Sequence, residues 1–163
     1  MKKEGFRVCI GESSHRFLPP ESAKPCIIAG VTFDDTPGFQ DDSDGDVVFH
    51  ALCNAISSLT HVPVLCTIAQ DLCSRDGITD SEVYLKEALK TLEEQKITSV
   101  SISLEAKRPT FKDHVFLMRQ NISRILHLDI DAIGITAIYG DGLTDCGIGE
   151  GVRCSVIICA EHH

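Results

Sequence analysis

The chain has 163 residues and a formal net charge of −9, with 43% apolar and 24% charged residues. This balance is typical of a soluble globular protein and argues against a disordered chain or a membrane protein. The negative charge opposes any general attraction to nucleic acid or to anionic lipid. We therefore expect a single domain over residues 1–163, with neither nucleic acid nor a membrane as its partner.

The start of the chain and its cysteines bear on the cellular compartment. Residues 1–5 are basic at first, but no apolar stretch of about 7 to 15 residues follows them, so no secretion signal is predicted. The eight cysteines fall in apolar runs and form no CxxC pair, which favours free thiols over a disulfide framework. We expect a cytoplasmic protein.

Apolar periodicity divides the chain into alternating strands and helices. In chain order, the pattern predicts strands over residues 6–10 and 26–33, a helix over 44–59, a helix opened by a capping box at 79–82, a strand over 97–104, a helix over 112–126, and strands over 133–138 and 151–160. Helices interspersed among strands indicate an α+β two-layer sandwich, in which helices cover one face of a mixed sheet.

The first predicted helix carries a polar stripe. Its members are Asp46, His50, Asn54 and Ser57. A solvated helix face explains such a stripe. However, His15 follows the first strand, and neutral histidine is the commonest ligand of zinc, so His15 and His50 form a candidate metal pair. Sequence spacing cannot show whether the two side chains meet, and both interpretations stay open.

Residues 140–151 contain five glycines. Glycine permits tight turns and a close approach of the backbone to a ligand. The segment is either a phosphate cradle or a loop of tight turns between two strands. We favour the loop, because the segment has no Walker lysine.

Residues 43–52, SDGDVVFHAL, resemble the SDGDVxxHAL signature of the 2-C-methyl-D-erythritol 2,4-cyclodiphosphate synthase family. Residues 7–17 look like the first strand and metal loop of that family, residues 149–151 look like its GEG turn, and Asp80-Ser81 also match. The resemblance covers nearly the whole chain. It implies a homotrimer with three active sites between neighbouring subunits, each using zinc or another divalent metal and a second ion, magnesium or manganese.

The activity implied by this resemblance is that of a phosphorus-oxygen lyase in isoprenoid precursor biosynthesis. The substrate would be a cytidine diphosphate compound, 4-diphosphocytidyl-2-C-methyl-D-erythritol 2-phosphate, which is cyclised with release of CMP. No side chain is identified as a catalytic acid or base. The protein would act by positioning phosphoryl groups and neutralising their charge.

By position, the resemblance implies His15 and His50 as metal ligands, and the ligand aspartate of the family falls on Ser13. Because a hydroxyl is a poorer zinc ligand than a carboxylate, we expect water, Asp42 or Glu12 to complete the shell. The implied substrate-binding residues are Asp42, Ser43, Asp71, Ala106, Pro109 and Asp141, and Asp141 would also bind the second metal.

Several positions depart from the family pattern. Asp42 replaces a histidine that contacts the diphosphate, Thr110 replaces a lysine of the nucleotide loop, and residues 138–139 replace a threonine pair. We expect slow turnover, because lost donors act on the charge that develops at phosphorus. The alternatives are a weak or inactive homologue that binds a nucleotide, an isoprenoid diphosphate or a protein partner, and a trimeric protein with only a structural role.

Overall fold

Residues 5–162 are described by the structure, a computed structural model. In chain order, the elements are β1 Phe6–Arg16, β2 Pro25–Ile28, β3 Val31–Pro37, α1 Val47–Thr60, α2 Gln70–Asp76, α3 Ser81–Leu89, β4 Gln95–Glu105, α4 Val115–Leu126, β5 Ile133–Ile138 and β6 Gly151–His162. A π-helical turn, Leu65–Ala69, precedes α2, and single 3₁₀ turns occur at Lys90–Leu92, Ile130–Ala132 and Gly140–Gly142.

The main sheet has four strands in the order β1-β6-β4-β5. Strand β6 pairs antiparallel with both β1 and β4, whereas β4 and β5 are parallel. Strands β2 and β3 form a separate antiparallel hairpin. The predicted α+β fold with a mixed sheet is therefore confirmed.

One face of the sheet packs against helices, and the other is exposed. A Cβ added to Gly11 of β1 would lie 2.1 Å from the backbone oxygen of Ala51, so α1 packs directly against the strand. Successive strand residues point to opposite faces. The outward side chains of β1 and β6 are large and apolar: Phe6 is 74% exposed, Val8 69%, Ile10 57% and Ile157 46%.

The hairpin corrects one prediction. The continuous apolar run at residues 26–33 was expected to form one strand, but the chain turns at Ala29 and Gly30, where φ is 50° and 73°. Both backbone N–H groups donate to the carboxylate of Asp46, at 2.8 Å each. The turn is therefore fixed by a residue distant in sequence rather than by a local polar signal.

Several helix boundaries also differ from the predicted ones. Helix α1 begins after the N-cap Asp46, and α3 begins after Asp80, one residue later than the cap of the predicted capping box. Helix α4 begins at Val115, and α2 was not predicted. Among residues 5–162, no helix is long and apolar enough to cross a membrane.

All eight cysteines lie within the described residues and are free thiols, as predicted. Lys2 and Lys3, the basic residues on which part of the argument against a secretion signal rests, lie outside the described residues.

Candidate metal and substrate site

Two histidines from different elements meet beside the helical layer. His15 lies near the end of β1 and His50 lies on α1, and their Nε2 and Nδ1 atoms are 3.1 Å apart. His50 is only 7% exposed, so the polar stripe of α1 is not a solvated face at this position. The structure thus brings together the candidate metal pair of the sequence.

Asp46 sets the position of His50. Its buried carboxylate accepts hydrogen bonds from the N–H groups of Val48 and Phe49, in addition to those from the β2–β3 turn. This N-cap fixes the first turn of α1 against the hairpin. The His50 N–H donates to the Asp46 carbonyl at 2.9 Å, so the imidazole lies one turn after the cap.

Asp41 adds a carboxylate to the histidine pair. Its Oδ2 lies 3.5 Å from Nδ1 of His15, and the potential ligand atoms of Asp41, His15 and His50 all lie within 4.8 Å of one another. Sequence analysis missed this residue. The only signal for it is its place two residues before the SDGD motif, in a loop whose path the sequence does not reveal.

Lys24 holds that loop in place. Its ammonium group donates to the carbonyls of Phe39, Asp41 and Ser43, at 2.9, 2.7 and 2.6 Å. The N–H and hydroxyl of Ser43 both donate to Oδ1 of Asp41, at 2.8 and 2.7 Å. Lys24 therefore fixes the backbone of Asp41, and Ser43 fixes the orientation of its carboxylate.

The electrostatics favour a neutral histidine pair beside an anion. Burial lowers the pKa of His15, and it lowers the pKa of His50, with a further contribution from His15, to about 4. Burial alone would raise the pKa of Asp41, but the hydrogen bonds from Ser43 hold that pKa below its ordinary value. Two neutral imidazoles and one carboxylate form a donor set that suits zinc.

These groups line a cavity of about 620 Å³. The lining residues come from the end of β1, the loop before α1, α1 itself, the segment around α2, and α3. They are Ser13, His15, Asp41, Asp42, Ser43, His50, Leu65, Ala69, Gln70, Cys73, Ser74 and Tyr84. None of these lining residues is a lysine or an arginine, so a bound anion needs positive charge from another source.

The structure brings some of the other implied residues to this cavity and places others elsewhere. The Ser13 hydroxyl lies 3.4 Å from Nε2 of His15, and Asp42 and Ser43 form part of the wall. Glu12 does not take the expected place in the metal shell. It lies on the opposite face of β1, where its carboxylate accepts hydrogen bonds from Arg153 at 2.9 Å and Ser155 at 3.1 Å.

Asp71 is not among the residues that line the cavity. Its side chain is 63% exposed, and its carboxylate lies 3.8 Å from Arg75, one turn further along α2. Within one chain, Asp71 is therefore not directed at the histidine pair.

The remaining implied residues form a second group around the ends of β4 and β5. Ala106 and Pro109 are buried, whereas Asp141 is exposed. The Ala106 N–H donates to the carbonyl of Ile138 at 3.0 Å, which joins the two loops. No described residue from 106–110 or 138–146 lines the cavity. Apart from Asp71, the implied substrate-binding residues of a single chain therefore lie in two separate places.

Comparisons with known proteins agree with this architecture. The family model of the YgbB family matches residues 6–161. A 2-C-methyl-D-erythritol 2,4-cyclodiphosphate synthase of Chlamydia caviae is 52% identical over 94% of this chain and 88% of its own length, and the enzyme of the same name from Chlamydia felis is 51% identical with the same coverage. A solved structure of a synthase of that name in its CDP-bound form covers 93% of this chain and 98% of its own, with 28% identity and a TM-score of 0.82. The chain belongs to the YgbB family, the family of 2-C-methyl-D-erythritol 2,4-cyclodiphosphate synthases.

Proposed function

We propose that this chain converts 4-diphosphocytidyl-2-C-methyl-D-erythritol 2-phosphate to 2-C-methyl-D-erythritol 2,4-cyclodiphosphate, with release of CMP, in isoprenoid precursor biosynthesis. The observation that carries the proposal is the cluster of His15, Asp41 and His50 in a cavity of about 620 Å³. The names of the curated relatives and the CDP in a structural relative support this substrate class.

The cluster fits a divalent metal, and we assign zinc to it. Two nitrogens bound to one tetrahedral zinc at about 2.0 to 2.1 Å are about 3.3 Å apart. The Nε2 and Nδ1 atoms of His15 and His50 are 3.1 Å apart. When bound, the metal supplies a Lewis acid that polarises a phosphoryl oxygen.

The residues of the chain bind and orient the substrate. Ser43 and Asp42 form the wall beside the histidine pair, and Leu65 and Ala69 provide apolar surface that restricts water. The lining residues contribute no cationic side chain, and Asp42 repels a diphosphate. The lack of local positive charge accounts for the slow turnover that we expect.

A neighbouring subunit completes the site in this proposal. Ala106 and Pro109 would hold the nucleotide, and Asp141 would bind the second ion, magnesium or manganese, because a hard cation prefers oxygen ligands. These residues lie away from the cavity in their own chain, so they act on the cavity of another copy. Asp71 would likewise act on substrate bound in an assembled site.

The exposed sheet face supports a homotrimer. Four large apolar side chains lie together on β1 and β6, and Ile10 and Ile157 are directly paired across the strands. A contiguous apolar patch of this kind marks an interaction surface. We expect multi-angle light scattering to give the mass of a trimer, and Ile10→Glu to dissociate it. Phe116→Glu, which changes a side chain of α4 that is 62% exposed and lies outside this patch, is the matched control. A stable wild-type monomer at micromolar concentration contradicts this assembly.

Activity is tested by CMP release with zinc and magnesium present. We expect slow but measurable release by the wild type and none by His50→Ala. Asn54→Ala is the control, because Asn54 lies one turn further along α1 and is not among the cavity lining. The proposal fails if the wild type releases no CMP and neither Asp42→His nor Thr110→Lys recovers it while CDP still binds. That result identifies a non-catalytic homologue.

A further inference from the structure

A buried serine lies directly behind the metal-facing histidine. The Ser81 hydroxyl is 2.8 Å from Nε2 of His50, on the side of the ring opposite the His15 contact. Ser81 is the first residue of α3 and is fully buried. The His50 ring is therefore held between β1 on one side and the start of α3 on the other.

The Ser81 hydroxyl uses its only proton in a hydrogen bond to Asp44. The proton is donated to Oδ1 of Asp44, which also accepts from the N–H of Asp46 at 3.0 Å, and Oδ2 of Asp44 accepts the N–H of Ser81 at 3.0 Å. Both oxygens of Asp44 thus serve as acceptors. A hydroxyl has one proton and two lone pairs, so Ser81 can only accept a hydrogen bond from His50.

A second hydroxyl leads to the same conclusion. The Ser43 hydroxyl lies 3.3 Å from Nε2 of His50 and donates its proton to Asp41 at 2.7 Å. It also presents only lone pairs to the imidazole. Two separate carboxylate and serine pairs therefore require a proton on Nε2 of His50.

We infer that Ser81, backed by Asp44, is a positioning residue that holds His50 in the tautomer with its proton on Nε2. In this tautomer the lone pair is on Nδ1, the atom that faces His15 and the metal site. Neutral imidazole has only one free lone pair, so the other tautomer would present an N–H to the metal. The effect on zinc binding rests on the proposed function, whereas the tautomer itself follows from the hydrogen bonds alone.

The tautomer of His50 can be measured in the metal-free protein. Nitrogen-15 NMR of the full chain reports which ring nitrogen of His50 carries the proton. We expect the Nε2–H form in the wild type and a mixture of tautomers in Ser81→Ala. By titration with zinc alone, Ser81→Ala should weaken binding about 10- to 100-fold, the usual effect of losing a partner of a ligating histidine.

Three further variants separate positioning from a general loss of structure. Ser81→Thr keeps the hydroxyl and should retain the tautomer and most of the zinc affinity. Asp44→Asn keeps the side-chain volume and should weaken the tautomer preference. Ser123→Ala removes a hydroxyl that donates to the Leu128 carbonyl far from the cavity, and it should change neither readout. All variants are compared where circular dichroism shows them to be folded.

An Nδ1–H tautomer in the wild type overturns the inference, as does a Ser81→Ala variant with an unchanged tautomer. Loss of zinc binding equal in Ser81→Ala and Ser81→Thr also overturns it, because the hydroxyl would then be irrelevant. If the wild type binds no zinc, the metal assignment of the proposed function fails. The NMR result alone still decides whether Ser81 and Asp44 fix the tautomer of His50.

Discussion

Replacing Asp41 by alanine tests whether this loop carboxylate is a metal ligand. Tetrahedral zinc sites with four protein ligands bind with about 10 to 16 kcal/mol, which is about 2.5 to 4 kcal/mol for each ligand. This corresponds to a loss of about 70- to 900-fold in affinity. The Asp41 carboxylate is partly exposed, so we expect Asp41→Ala to lose about 100-fold, near the lower end of that range.

Asp42→Ala is the matched control. It removes the same charge from the adjacent residue, which lines the same cavity but is not part of the three-residue cluster. Through-space attraction at an exposed position is weak in water, so the zinc affinity should fall by less than about threefold. Competition with a chromophoric chelator, after removal of bound metal, measures both affinities.

A second substitution, Ser13→Asp, tests whether a carboxylate at another position can replace Asp41. The Ser13 hydroxyl lies 3.4 Å from Nε2 of His15, so a carboxylate introduced there by Ser13→Asp can reach the same site. The double variant Ser13→Asp with Asp41→Ala should recover most of the lost affinity. Equal effects of the changes at Asp41 and Asp42, or no recovery in the double variant, would refute the assignment of Asp41 as a ligand.

The sequence predicted those elements that have a regular apolar pattern. Strand β5 has the predicted bounds, 133–138, and α4 ends at the predicted residue, Leu126. Helix α2 was missed because none of its residues is buried, so it shows no apolar stripe. The turn at Ala29 lies within an apolar run, and its backbone N–H donates to the carboxylate of Asp46, 17 residues away.

Only those residues of the candidate site that lie within a recognised sequence motif could be predicted. His15 and His50 follow from the resemblance, but their 3.1 Å approach depends on how α1 packs across β1. Asp41 could not be predicted, because its position depends on the hydrogen bonds that its loop receives from Lys24, which lies outside the motif. Local patterns contain no information about such long-range contacts.

Two further predictions concern stability. Asp46→Ala leaves four backbone N–H groups without their acceptor, at a cost of about 1 kcal/mol or more each, so urea unfolding should show a loss of about 4 kcal/mol. Asp80→Ala removes an exposed N-cap that accepts only from Glu82, and it should lose about 1 kcal/mol; equal losses would contradict the role of the buried cap.

Acid stability should depend on Glu82. Hydrogen bonds from Arg124 lower the pKa of Glu82 to about 2, with a further contribution from Lys86. Because this folded-state pKa is depressed, the stabilisation is present above the ordinary pKa of about 4.5 and is lost as the pH falls towards 2. Both cations are more than half exposed, so we expect about 1 kcal/mol. Urea unfolding of Glu82→Gln at pH 7 and at pH 3 should show a smaller pH dependence than the wild type, and an unchanged dependence would exclude this ion pair as its source.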